Sequence, residues 1–239
     1  MEKTRFSEAL ILGLAIGAAL IVMGYLISNT TVSLKRADRS VVVKGLSERE
    51  VPADVAIWPI VFNEASNDLN DLYASLENKK AQVVEFLVKS GFKNEEISLS
   101  APKISDRLAQ EYVDAGKVKY RYSATAIVTV YTGNVTLVRE TMRKLADLGR
   151  KGIAIGGPEH LARTEFLFTK LNEIKPQMIE EATKNAREVA EKFASDSRSR
   201  LGKIKHAEQG LFTISDRDSN TPEIKKVRVV STVEFYLSD

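Results

Sequence analysis

The stretch from Ala9 to Ile27 most constrains how this chain can fold. It reads ALILGLAIGAALIVMGYLI and contains no charged side chain. A helix over this stretch would be about 28 Å long, close to the ~30 Å hydrocarbon core of a bilayer. Because lipid offers the backbone no hydrogen-bond partners, a single segment satisfies its own peptide groups there as a helix. The sequence therefore predicts an N-terminal transmembrane helix within a membrane anchor over residues 1–28.

A cleaved signal peptide is the competing interpretation of the same stretch. The apolar region of a signal peptide usually spans about 7–15 residues and ends at a small-x-small cleavage site. Here the stretch is longer, and the residues from Tyr25 to Thr30 offer no clean Ala-x-Ala site. These features favour an uncleaved signal anchor, with the lipid bilayer as the partner of residues 9–27, and cleavage stays open as the alternative.

The flanking charges leave the orientation of this helix undecided. Lys3 and Arg5 precede it, whereas Lys35, Arg36 and Arg39 follow it. Counted by the positive-inside rule, these charges slightly favour a cytoplasmic C-terminal side. A difference of one charge is too small to decide the orientation.

The composition removes several classes of function. The chain contains no cysteine, which excludes disulfides, thiolate nucleophiles, cysteine-based zinc sites and iron–sulfur clusters. Its formal net charge is only +3 over 239 residues. There is also no basic stripe interleaved with aromatic residues, so nucleic acid is not an expected partner.

Residues 29–39 are polar and aperiodic, which predicts a tether, and residues 40–239 predict one α+β domain. Strand pairs alternate with three amphipathic helices, and hairpin connections favour antiparallel or mixed sheets. The expected helices are Asn67–Ser90, Val135–Leu148 and Pro176–Leu201. The expected strands are Ser40–Gly45, Asp54–Phe62, Glu96–Ile104, Tyr120–Thr132, Gly152–Ile155, Thr164–Lys170, Lys203–Ile214 and Ile224–Leu237, with a charged turn at Ser47–Pro52.

Apolar spacing indicates which faces of these elements are buried. Pro59 cannot donate a ladder hydrogen bond, so it predicts an edge position or a bulge in its strand. Strict alternation in the last strand places five residues on one face: Val227, Val229, Val233, Phe235 and Leu237. The third helix is expected to pack closely on a sheet through a face of largely small residues: Met178, Ala182, Ala186, Val189, Phe193 and Leu201.

No motif in the chain predicts catalysis, a cofactor or a metal site. His160 and His206 have no second histidine at ligand spacing and are interpreted as surface residues. Asp216–Asn220 resembles the start of an EF-hand loop, but the Gly and Glu needed later in that loop are missing, so a polar hairpin loop is expected. The glycine-rich stretch Gly152–Gly157 lacks the Lys-Ser/Thr of a phosphate-binding loop. We expect no catalytic, cofactor-binding or metal-ligating residues and no enzymatic activity.

Three segments resemble the SIMPL-domain family of bacterial periplasmic and envelope proteins. Val41–Phe62 is similar to the opening hairpin of that family, Glu180–Ile204 to its alanine-rich helix with a Leu-Gly-Lys-Ile turn, and Val227–Leu237 to its closing strand. The match runs in order from Ser40 to Leu237. The positions that carry it are Gly45, Glu48 or Glu50, Ala53, Asp54, Ala182, Ala186, Ala190, Leu201 and Gly202.

The resemblance implies an extracytoplasmic α+β domain and a tendency towards large ring-like homo-oligomers. For some members it also implies a link to envelope or oxidative stress, and it supplies no catalytic residues to carry over. Combined with the anchor, it implies a single-pass inner-membrane protein whose C-terminal domain lies in the periplasm. This implication outweighs the one-charge difference between the flanks.

Two hypotheses of function follow. The first is a non-enzymatic, membrane-tethered envelope protein that assembles into homo-oligomers. The alternative is a small-ligand-binding or hydrolytic protein with a pocket between sheet and helices. Polar clusters at Arg107–Glu111 and Asp216–Asn220 suggest the alternative, because functional residues often lie in loops.

Overall fold

The computed structural model describes residues 13–14, 16–25, 39–109 and 118–238, with the side chain of Glu159 excepted. Residues 13–14 and 16–25 are helical. The predicted membrane helix, the tether and the polar cluster near residue 110 therefore lie partly outside the described residues. Within the described part of the chain, no helix combines the length and the apolar character that crossing a membrane requires.

From residue 39 to residue 238, the described chain forms nine strands and five helices. The strands are β1 Ser40–Pro52, β2 Val55–Ser66, β3 Ile97–Leu99, β4 Lys103–Asp106, β5 Tyr122–Thr132, β6 Glu165–Leu167, β7 Arg200–Gln209, β8 Thr213–Asp216 and β9 Ile224–Ser238. The helices are α1 Leu69–Ser90, α2 Val135–Met142, α3 Ala146–Arg150, α4 Glu159–Ala162 and α5 Leu171–Asp196. Two short 3-10 turns lie at Asn94–Glu96 and Arg107–Ala109. The predicted mixed α+β class is confirmed.

These elements form two sheets. One has the order β1-β9-β7, with β8 also pairing with β9, and the other has the order β3-β5-β2-β6, with β4 pairing with β5. The chain divides into two compact units. The first unit comprises residues 1–48, 174–213 and 228–239, and the second comprises residues 49–173 and 214–227.

The core of the second unit lies between α1 and the β2–β5 ladder. α1 begins where the Asp68 side chain accepts hydrogen bonds from two backbone amides, and it ends at Gly91 with a φ of 110°. The predicted end of this helix is therefore confirmed. Its buried stripe is Leu72, Leu76, Val83 and Leu87. That stripe packs in one cluster with alternate residues of β2 and β5, including Trp58, Ile60, Phe62, Ala124, Ala126, Val128 and Val130.

Pro59 lies on an inner strand of the sheet, but at a stretch of β2 whose second side has no ladder partner among the described residues, so its position is a local edge. On one side of β2 it pairs with Thr129 of β5 in an unbroken register. On the other side, β6 pairs only with Val55–Ile57, so the ladder in that direction ends before Pro59. The register shows no bulge here, which selects the edge position from the two alternatives.

Four expectations about local elements are wrong in detail. β1 continues through Ser47–Pro52, where a charged turn was expected, because Glu48 and Glu50 fall on its exposed side while Ser47 is buried. Glu96–Ile104 contains two short strands rather than one. Gly152–Ile155 is not a strand and contributes one isolated bridge, between Phe62 and Ile155. Lys203–Ile214 is interrupted between β7 and β8.

The expected helix Val135–Leu148 is two helices. After α2, the amide of Lys144 donates to Thr141 O at 2.9 Å and that of Leu145 donates to Met142 O at 3.3 Å. These bonds span three residues and wind the chain more tightly than an α-helix does. Leu148 of α3 is fully buried, as is Val138 of α2. The turn thus directs both residues into the core.

The expected helix Pro176–Leu201 differs at both ends. α5 begins at Leu171, so Pro176 lies inside it, and it ends at Asp196. Beyond that end, Arg198 adopts a φ of 53° and the amide of Ser199 donates to Ala194 O at 2.8 Å. This left-handed residue closes the helix, and Leu201 therefore belongs to β7.

The buried face of α5 also differs from the expectation. Met178, Ala182 and Ala186 are buried as expected, and the stripe continues through Ala190 and Ala194. Val189 and Phe193 are instead exposed, by 38% and 55%. The small stripe lets the helix approach β1 so closely that a Cβ on Gly45 would lie 1.8 Å from Ala182 O. Bulkier side chains on this face would hold the helix away from the strand.

Replacing Gly45 with alanine tests this contact. The added methyl would overlap backbone atoms of α5, so we expect Gly45→Ala to lower the free energy of unfolding by about 3 kcal/mol. Chemical denaturation monitored by circular dichroism measures the change. The control is Gly149→Ala in α3, where a Cβ would meet no atom of the described chain within 4 Å. A Gly45→Ala variant as stable as the control would contradict the close approach.

An ion pair attaches α1 to β2. The Glu64 carboxylate is paired with Lys79 and accepts hydrogen bonds from Ser75 Oγ at 2.9 Å and its neighbouring backbone amide at 3.2 Å. Burial alone would raise the pKa of Glu64, but these hydrogen bonds outweigh it and lower the pKa below its usual value. A lowered carboxyl pKa stabilises the fold above the unfolded-state pKa, and this stabilisation is lost as the pH falls through the folded-state value.

We expect Glu64→Gln to lower the free energy of unfolding by about 1 kcal/mol at pH 7. The difference from the parent chain should shrink below about pH 4, where the parent carboxylate also becomes protonated. Urea unfolding at several pH values measures it. Glu85→Gln is the matched control, because Glu85 pairs with Lys89 at 2.6 Å on the exposed side of α1. Equal effects of the two variants at pH 7 would contradict a role for the Glu64 pair.

Candidate functional site

A pocket of about 430 Å³ lies on the outer face of the five-stranded sheet in the second unit. Its floor contains Ser123, Thr125 and Ile127 of β5. These residues alternate with the buried alanines of β5, so they face away from α1 and the core. Lys103 and Ser105 of β4 extend the floor, because they pair in register with Thr125 and Ser123.

Residues around α4 form the opposite wall of this pocket, and two hydrogen bonds of Asn63 hold that wall in place. Thr125 Oγ1 donates to Asn63 Oδ1 at 2.7 Å, and Asn63 Nδ2 donates to Gly156 O at 2.8 Å. The chain approaches β2 closely at the next residue, since a Cβ on Gly157 would lie 2.6 Å from Val61 Cγ1. The remaining lining residues are Ser100, Ala101, Pro158, His160 and Leu161.

The pocket presents two kinds of polar side chain. Four hydroxyls face it from the sheet side: Ser100, Ser105, Ser123 and Thr125. Lys103 and His160 are basic, and none of the lining side chains that the structure describes is acidic. The pocket can therefore both donate and accept hydrogen bonds, and it can attract negative charge.

The two histidines are exposed, as the sequence predicts. His206 lies on β7, whereas His160 lines the pocket, a placement that the sequence did not reveal. In the part of the chain that the structure describes, no cluster of three or more histidine or carboxylate side chains could hold a metal ion.

The Asp216–Asn220 segment forms the expected polar loop. The Asp218 carboxylate accepts from the backbone amides of Asn220 and Thr221 at 2.8 and 2.9 Å. It also accepts from the Thr221 hydroxyl and from Arg217 Nε. The hydrogen bonds from Thr221 and Arg217 hold the pKa of Asp218 well below its usual range. This carboxylate therefore closes the turn before β9.

Gly152–Gly157 is a turn rather than a phosphate-binding loop. Gly152 and Gly156 have φ values of 79° and 144°, which favour glycine over other residues. Between them, Ile153 is buried in the core. The segment thus connects α3 to the wall of the pocket.

Two exposed apolar surfaces are separate from the pocket. A groove of about 540 Å³ runs along α1 in the second unit, lined by Ala81, Val84, Val88 and Leu99 between charged side chains. In the first unit, the outer side of α5 exposes Val189 and Phe193. Exposed apolar clusters of this kind often mark interaction surfaces.

The pocket residues are not predicted by the sequence motifs, although β5 carries a signal. Tyr122–Thr132 reads YSATAIVTVYT. Its residues Ser123, Thr125 and Thr129 are separated by two and four positions, so they lie on the same face of a strand. Such alternation predicts a strand with an apolar face and a hydroxyl-rich face. The location of His160 at the pocket could not be predicted from the sequence. It depends on a turn that brings a distant part of the chain back to the sheet.

A comparison with protein families shows the family of this chain. A family model described as "SIMPL: Protein of unknown function (DUF541)" matches residues 41–235. The chain belongs to the SIMPL family, as the motifs of β1, α5 and β9 indicate. A comparison with curated proteins found no match.

Replacing Asn63 with alanine tests how the wall of the pocket is held. Both hydrogen bonds of its amide would be lost, so we expect residues 153–162 to exchange their backbone hydrogens about fivefold faster. Hydrogen–deuterium exchange with mass spectrometry measures the rates. Gln82→Ala on α1 is the control, since Gln82 bonds Asn78 on its own helix. Unchanged exchange in the Asn63→Ala variant would show that packing alone holds the wall.

Proposed function

We propose that this chain is a non-enzymatic, membrane-tethered envelope protein that assembles into homo-oligomers. In this proposal, residues 9–27 insert into the inner membrane as a single pass, and residues 40–239 lie in the periplasm. Residues 29–39 tether the two parts. A link to envelope or oxidative stress is part of the proposal and rests on the family alone.

The observation that carries the proposal is the exposure of apolar side chains along helical residues 16–25. Leu20, Ile21 and Tyr25 are exposed by 63%, 75% and 69%. Among the described residues, no atom lies within 4 Å of a Cβ placed on Gly17 or Gly24. Apolar side chains exposed to water raise the free energy of a helix, and transfer of the helix into hydrocarbon lowers it. This favours lipid as its surroundings.

Self-assembly is supported by the outer side of α5. The alanine stripe takes the inner side of the helix, so Val189 and Phe193 project outward one turn apart. Phe193 is an aromatic residue more than half exposed, and aromatic side chains are enriched at protein interfaces. Closed cyclic symmetry is a usual way to cover such a surface with other copies of the same chain.

Labelling of single cysteines tests the anchor and its orientation, because the chain contains no cysteine of its own. The two variants are Ser219→Cys and Ser7→Cys. Ser219 lies in an exposed loop, and Ser7 precedes the apolar stretch in the sequence. In spheroplasts we expect a membrane-impermeant maleimide to label position 219 at once and position 7 only after lysis. The protein should stay in the membrane pellet after alkaline washing. Release into the soluble fraction would overturn the tether, and the reverse labelling would overturn the orientation.

The mass of the full chain in detergent tests the assembly. Size exclusion with light scattering should give a discrete multiple of 26.5 kDa after correction for detergent. Phe193→Ser should shift the mass towards one chain, because it removes apolar contact area. Lys192→Ser, on the same exposed side of α5, should leave the mass unchanged. A monodisperse monomer of the parent chain would overturn self-assembly.

A further inference from the structure

We propose that the pocket on the outer face of the five-stranded sheet binds an anionic monosaccharide unit, a sugar ring that carries a carboxylate or a phosphate. This inference does not depend on the membrane tether or on self-assembly. It rests on the chemistry of the side chains that converge on the pocket and on its size.

Three polar side chains at the pocket are available to a ligand. Within the described part of the chain, the side chains of Lys103, Ser123 and His160 make no hydrogen bond and no ion pair. They come from β4, β5 and α4, so separate elements bring them to one place. Elsewhere in the second unit, polar side chains such as Asp218 and Glu64 are occupied by their neighbours.

The charge of the pocket selects an anionic ligand. Lys103 supplies an ammonium group, and His160 supplies a ring nitrogen that can donate a hydrogen bond. No acidic side chain among the described lining residues opposes them. A carboxylate or a phosphate monoester would accept hydrogen bonds from both, and charge-assisted hydrogen bonds are the stronger ones.

The rest of the lining matches a sugar ring. The Ser123 hydroxyl can pair with a sugar hydroxyl in either direction. Ser100 and Thr125 already donate to Ile127 O and Asn63 Oδ1, so their hydroxyl oxygens can accept hydrogen bonds from the sugar. Ala101, Ile127, Pro158 and Leu161 supply apolar area for the C–H groups of the ring. A volume of about 430 Å³ falls within the range of small-ligand pockets and is at the small end of it. One sugar unit suits this size better than an oligosaccharide.

Ligand binding is measured with the full chain in a detergent that has neither sugar nor phosphate groups. The probes are glucuronate, glucose 6-phosphate, neutral glucose and inorganic phosphate. Binding of each probe is measured by saturation-transfer NMR or calorimetry. We expect the two anionic sugars to bind and glucose to bind at least about tenfold more weakly. Inorganic phosphate should compete with glucose 6-phosphate only at higher concentration. Preference for one of the two anionic sugars identifies the acidic group.

Substitutions of pocket residues test whether the sugar binds in the pocket. Lys103→Met and Ser123→Ala should each weaken binding of the preferred sugar, Lys103→Met by about tenfold. Lys89→Met is the control, because Lys89 is an exposed cation on α1. Circular dichroism verifies the fold of each variant.

Four outcomes would overturn the inference. They are no binding of either anionic sugar, equal binding of glucose, inorganic phosphate competing as strongly as glucose 6-phosphate, and binding unaffected by Lys103→Met.

Discussion

The backbone contact between β1 and α5 determines the arrangement of the first unit. Gly45 leaves no room for a Cβ beneath Ala182 and Ala186, so helix and strand meet through their main chains. Close approach of this kind requires small residues on both partners, which explains a stripe made almost entirely of alanine. The same contact turns the larger apolar residues of α5, Val189 and Phe193, to the outside. The surface proposed for self-assembly thus follows from the packing of the core.

In the second unit, β5 has two different faces. Its alanines and valines pack in the core with α1, and Ser123, Thr125, Ile127 and Thr129 face the opposite side. An antiparallel sheet can leave one face uncovered, and here that face becomes the floor of a pocket. Asn63 contributes twice, because it accepts from Thr125 and donates to Gly156. One amide therefore joins the floor of the pocket to its wall.

The proposed assembly and the proposed ligand site lie on different compact units of the chain. The SIMPL family match covers residues of both units and assigns an activity to neither. A tethered protein in the envelope would meet acidic sugars wherever cell-wall or surface polymers carry them. The proposed tether and the proposed ligand are thus compatible, although each stands on separate observations.

The sequence by itself determined the α+β class, the family, the first helix with its end at Gly91 and the alternation of β9. These features depend on periodicity and on residues such as glycine whose conformational preferences are local. Only the tertiary structure decided that α5 buries Ala190 and Ala194 rather than Val189 and Phe193, because the choice depends on how near β1 lies. It likewise decided that His160 joins Lys103 and Ser123 at one pocket. Contacts between distant segments set both outcomes, and no local pattern records those distances.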